Sequence, residues 1–152
     1  MRRILALICA AALLWVTVGG TMSKADAEYV TSPMSGVLIG PDGQAAGGVT
    51  VRRTWDWRGK SGEDRTVTDA SGQFAFDGVP AKRGFFQRLA AEDAVRTVFY
   101  ADYPAGAQKF LVMTPRVGPE NHENKGAPIS ITCDLRKEPA HGGFWFGVCT
   151  LD

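Results

Sequence analysis

Between Asp64 and Asp77 the chain reads Asp-Arg-Thr-Val-Thr, then Asp69-Ala70-Ser71-Gly72, then Gln-Phe-Ala-Phe-Asp, a pattern that leaves little room for anything but β-structure. A period of two places Phe74 and Phe76 on one face, and Asp69 and Gly72 bring turn chemistry to the break between the runs. The spacing predicts a tight hairpin. Similar punctuation recurs along the chain. Gly36 to Ile39 ends at Pro41-Asp42-Gly43. Val49, Val51, Arg53 and Trp55 alternate with Thr50, Arg52, Thr54 and Asp56, and Arg58 to Glu63 is a polar connection. Val95, Thr97, Phe99, Ala101 and Tyr103 alternate with Arg96, Val98, Tyr100 and Asp102, after which Pro104-Ala105-Gly106 turns the chain into Gln108 to Met113. Thr114 to Pro128 reads as a long polar loop. Only Gly84 to Asp93, with Phe85, Phe86, Leu89 and Ala90 near one side, has helical character. About eight strands with short turns and no internal repeat imply an all-β Greek-key sandwich of seven or eight strands, with at most one short helix.

The chain of 152 residues opens with Met1-Arg2-Arg3, an apolar run from Ile4 to Val18, and Ala25-Asp26-Ala27. Basic start, apolar middle and small residues at the cleavage point are the parts of an export signal, so residues 1–27 are expected to be removed. About fifteen apolar residues are too few to cross a bilayer, and no membrane span is expected after cleavage. Residues 28–34 then read as a flexible lead-in and 35–152 as the sandwich domain, in a periplasmic or secreted protein. Cys9 leaves with the signal. The remaining pair, Cys133 and Cys149, reads as a disulfide in an oxidising compartment. If Ile129–Leu135 and Phe144–Leu151 form an antiparallel hairpin with Cys133 opposite Cys149, Glu138 faces Phe144 and Pro139–Gly143 closes the turn.

Charge argues against nucleic acid as a partner. There are 17 Lys and Arg against 16 Asp and Glu, and removing Arg2, Arg3, Lys24 and Asp26 leaves 14 against 15. A phosphate backbone calls for a basic excess. Hydrophobic residues make up 45% of the chain and aromatics 10%, which excludes an intrinsically disordered chain. Catalytic patterns are not found. His122 and His141 lie in expected loops without metal-ligand spacing, Ser61 and Ser71 sit in turns, and Glu63-Asp64, Glu92-Asp93 and Glu120 with Glu123 read as solvated loop charges. The expectation is a non-enzymatic protein with no catalytic residue, no cofactor and no metal.

Two runs, Ser35-Gly36-Val37-Leu38 to Gly48-Val49-Thr50-Val51 and Thr66-Val67-Thr68-Asp69-Ala70-Ser71-Gly72-Gln73-Phe74-Ala75-Phe76, carry a family resemblance. The chain resembles the carboxypeptidase-regulatory-like, or prealbumin (transthyretin)-like, β-sandwich superfamily. Thr68-Asp69, Gly72 and Phe74 fall at that family's offsets, whereas Ala45-Ala46-Gly47-Gly48-Val49 departs from its usual proline and alanine. Val95 to Tyr103, Ile129 to Leu135 and Gly147-Val148-Cys149 are similar to segments of short exported proteobacterial proteins of this fold. The resemblance implies a prealbumin-like or immunoglobulin-like sandwich and a non-catalytic binding or accessory module. It carries no active site across.

Aromatic residues supply the candidate binding positions. Trp55 and Trp57 share a strand face, and two readings stay open: both in the core, or an exposed platform beside Arg58. Phe144-Trp145-Phe146 cannot all point inward, so His141 and Trp145 mark a second patch. The expected function is protein–protein contact by an exported protein, in a narrower form an immunity protein that neutralises a secreted effector toxin. The alternative is a carbohydrate- or envelope-binding or structural accessory module. Segments 114–128 and 58–63 are the loops that would enter a partner's cleft.

Overall fold

The computed structural model describes residues 27–84 and 93–152. Residues 1–26 of the expected export signal and 85–92 of the expected helical stretch lie outside the described residues. The strands are β1 (Glu28–Thr31), β2 (Met34–Ile39), β3 (Thr50–Trp57), β4 (Lys60–Val67), β5 (Gln73–Phe76), β6 (Val79–Pro80), β7 (Arg96–Tyr103), β8 (Gly106–Met113), β9 (Gly118–Pro119), β10 (Ile129–Asp134), β11 (Ala140–Gly142), β12 (Trp145–Gly147) and β13 (Cys149–Leu151). Eight of these thirteen have four or more residues, and the rest are pieces of two or three. The protein is an all-β sandwich, as the alternation implies.

A six-stranded sheet in the order β11-β12-β8-β7-β3-β4 faces a four-stranded sheet in the order β13-β10-β2-β5. Their inner faces meet in one apolar core that includes Met34, Leu38, Val51, Leu111, Ile129 and Ile131. Phe74, Phe76, Phe99 and Phe110 touch one another at centroid separations of 5.9 to 6.4 Å, three of the four contacts being edge-on. Burying each ring contributes on the order of 2 to 3 kcal/mol. A third sheet, β6-β1-β9, adds a smaller core of Val30, Trp57, Val95 and Val117 at the end of β3.

Four sequence expectations change. Residues 28–34 are not a lead-in: β1 pairs with both β6 and β9, and Val30 is 4% exposed because it seals the smaller core. The Asp69–Gly72 turn is not a hairpin within one sheet, since β4 pairs with β3 and β5 with β2. It carries the chain from one layer to the other. The Asp69 carboxylate accepts from Ser71 N at 2.8 Å and Gln73 N at 2.9 Å, Gly72 takes φ 76°, and the Thr68 hydroxyl donates to Ala46 O at 2.5 Å. Residues 58–63 are not a loop. Arg58 and Gly59, at φ 51° and 68°, make a two-residue turn, and the β3–β4 ladder resumes at Trp57 opposite Lys60.

The last change concerns the C-terminal hairpin. Cys133 does stand opposite Cys149, and the two form the expected disulfide. Phe144–Leu151, however, is not one strand. β12 pairs with β8 in the larger sheet and β13 with β10 in the smaller, while β11 replaces the expected 139–143 loop and pairs with β12. Val148 is the crossing point: its N–H donates to Phe110 O at 3.0 Å, and its carbonyl accepts from Asp134 N at 3.3 Å. One residue thus bonds both layers. The 114–128 segment contains β9 and a 3-10 turn, His122–Asn124.

Candidate functional site

The alternation of β3 sends Val51, Arg53 and Trp57 inward, at 0%, 0% and 7% exposure. A fully buried guanidinium must be completely partnered. Arg53 donates to the two Asp64 oxygens at 3.0 and 2.5 Å, to Asp77 O at 2.7 Å and to Ser32 O at 3.5 Å, and it lies 4.6 Å from the centroid of the Phe76 ring. It thereby joins β3, β4, the end of β5 and the β1–β2 link. Ser32 extends this chain. Its hydroxyl donates to Glu123 Oε2 at 2.6 Å and accepts from Asn121 N at 2.9 Å, and His122 Nδ1 is 3.1 Å from the same carboxylate. A serine, a histidine and an acid are together here, but the carboxylate stands between the other two. That order is not the serine–histidine–acid order of a triad, and the bonds tie the 114–128 segment to the β1–β2 link.

Trp55 and Trp57 do share a face, and it is the inward one. Trp57 belongs to the smaller core, with Arg58 held 5.8 Å from its ring centroid. Trp55 is half-buried and spreads its ring over Gly62, its cross-strand partner, where a Cβ would come within 2.2 Å of the indole. A platform of two exposed tryptophans is therefore not presented. Instead the pair, with Val30, Lys60, Val79, Pro80 and Lys82, lines a pocket of about 220 Å³.

His141 and Trp145 lie at the opposite edge of the six-stranded sheet, so the structure does not bring the five candidates together. Trp145 turns inward: it packs on the main core, covers Gly142 and donates its indole N–H to Cys149 O at 3.3 Å. Phe146 is the outward residue, 41% exposed, and its ring stacks against His141 at 4.8 Å. Sequence reading missed Phe146 because three consecutive aromatics do not say which one alternation exposes. The register settles it, since Trp145 opposes the core residue Met113 while Phe146 opposes Val112.

Ladder partners place His141, Phe146, Val112, Val98, Thr54 and Glu63 in one row across the outer face of the sheet. The adjacent row holds Arg52 stacked 4.4 Å from the Tyr100 centroid and bonded to Asp102 through two nitrogens at 3.3 Å each. The bonds to Asp102 hold the Arg52 proton more firmly than usual against a partial loss of solvation. Apart from Val67 at the end of β4, Phe146 is the only large hydrophobic group exposed among the described residues. Among those residues no group of three or more His, Cys, Asp or Glu is arranged to hold a metal ion, and no helix is long and apolar enough to cross a membrane.

Two facing antiparallel-rich layers, a disulfide across the smaller one, and an aromatic-centred outer face define a disulfide-linked β-sandwich domain. The chain belongs to the family described as Domain of unknown function (DUF6795), whose model matches residues 34–138. Comparison with curated proteins and with solved structures gives no match.

Proposed function

We propose that this chain is a periplasmic or secreted binding protein that works by contact with another protein, through the outer face of the six-stranded sheet around Phe146 and His141. Kinship with the prealbumin-like superfamily belongs to the same proposal. The exposed Phe146–His141 pair, its rings in tilted contact, carries the reading. An aromatic anchor on a sheet face that also holds the Arg52–Tyr100 pair has the composition of a protein-binding hot spot. The disulfide and the expected signal support an oxidising destination. In its narrowest form the partner is a secreted effector toxin and the chain its immunity protein.

The test is affinity capture with the mature domain and with its Phe146→Glu variant, followed by co-production of any captured partner. The expected result is one stoichiometric protein held by the natural domain and released by the variant. If that protein is toxic, the natural domain protects cells and Phe146→Glu does not. A partner held equally well by both forms contradicts this surface, and a saturable glycan ligand in place of any protein contradicts the reading as a whole.

A further inference from the structure

At the other edge of the sheet, the pocket beneath β3 and β4 has the chemistry of a second site. Its walls are the apolar groups Val30, Val79 and Pro80 together with Trp55 and Trp57, and its rim carries Lys60 and Lys82, both exposed. Two observations bear on what it would accept, one on charge and one on size. First, neither lysine has a hydrogen bond or ion pair among the described residues, whereas the nearby acids are committed: Arg83 is bonded to both Glu28 and Asp93, and Arg58 lies 3.7 Å from Asp93. The two lysines are the local surplus of positive charge. Second, the volume of about 220 Å³ lies below the roughly 300 to 1,000 Å³ of drug-sized sites, so a small molecule or a single side chain fits it.

We infer that this pocket binds a carboxylate carried on a small apolar or ring-shaped body. The body rests on Trp55, Val79 and Pro80, and the carboxylate meets Lys60 and Lys82. Apolar contact and charge act together here, because an exposed ammonium pair alone holds an anion weakly against water and salt. The inference stands independently of the protein-contact face, which lies at the far edge of the sheet.

The experiment titrates the mature protein with phenylacetate while following tryptophan fluorescence. Phenylacetamide serves as the uncharged control and acetate as the control without a body. Saturable quenching by phenylacetate is expected, at least about tenfold tighter than by either control, and weakened about tenfold or more in Lys60→Met/Lys82→Met. Both lysines are exposed, so that variant keeps the fold. A blocked peptide with one aspartate between two leucines separates the sources of the carboxylate. Tighter binding of the peptide than of phenylacetate assigns the site to an acidic side chain of a protein, and the reverse assigns it to a free acid. Equal binding of phenylacetate and phenylacetamide, or undiminished binding in the double lysine variant, overturns the inference.

Discussion

The two ends of the six-stranded sheet rest on different physics. Under β7, β8 and β12 lies a core of hydrocarbon in which four phenylalanine rings interlock and the disulfide closes the facing layer. Beyond Val51, where β3 leaves the main core, the smaller core is Val30, Trp57, Val95 and Val117, and hydrogen-bonded charge does much of the joining through Arg53, Asp64, Ser32 and Glu123. Unpartnered buried polar atoms follow the same division. Thr31 Oγ1, Trp57 Nε1 and Asn121 Oδ1 belong to the second end and Tyr103 Oη to the main core, with Thr97 Oγ1 between Trp55 and Met113. A hydrocarbon base gives an aromatic anchor a surface that needs little ordering to bind, whereas a polar base depends on hydrogen bonds that a single substitution breaks.

The largest effect is expected from breaking the charge that holds the second end. Asp64→Ala leaves the Arg53 guanidinium, 0% exposed, without its carboxylate, and is expected to cost about 3 to 5 kcal/mol in urea unfolding. Arg53→Met is expected to cost less, because the Asp64 side chain is 35% exposed and can turn to water. Hydrogen exchange sharpens the contrast: in Asp64→Ala the β3–β4 amides are expected to exchange faster while those of β8 and β12 keep their protection. Equal acceleration at both ends would show that the two cores open as one.

Next in size is the disulfide. Its cysteines are 16 residues apart, and replacing both with alanine is expected to lower stability by about 3 kcal/mol. The β10–β13 ladder is expected to loosen first, with the second core unaffected.

The smallest effect concerns acid. The Arg136 guanidinium, followed by the Arg136 backbone N–H, holds the Asp134 carboxyl down at about 2. A lowered carboxyl contributes stability above its ordinary range near 4, and that contribution disappears as pH falls through about 2. Unfolding curves from pH 5 to 2 are therefore expected to be flatter in Asp134→Asn than in the natural protein. A slope that is unchanged removes this pair from the account.

Much of the scaffold was legible in the residues. Alternation correctly gave the faces of β3 and β7, because one side of each strand meets the apolar core, and the expected bridge between Cys133 and Cys149 gave their register. What alternation does not encode is which strand lies alongside. The Asp69–Gly72 turn looks the same whether it closes a hairpin or crosses between layers, and Val148 becomes a crossing point only through bonds to Phe110 and Asp134. Arg53 was placed on the correct face, but its burial depended on Asp64, Asp77 and Ser32 converging from separate segments. The pocket was illegible for the same reason. Lys82 follows β6, which pairs with β1, and only that third sheet brings it beside Trp57.

The claim that protein contact occurs at the hydrocarbon-based end is tested most directly by hydrogen exchange of the domain with and without its captured partner. Protection on binding is expected in Ala140–Gly147 and in the facing residues of β8, with little change in Val79–Lys82. Protection confined to Val79–Lys82, with Ala140–Gly147 exchanging as freely as in the unbound domain, would contradict it.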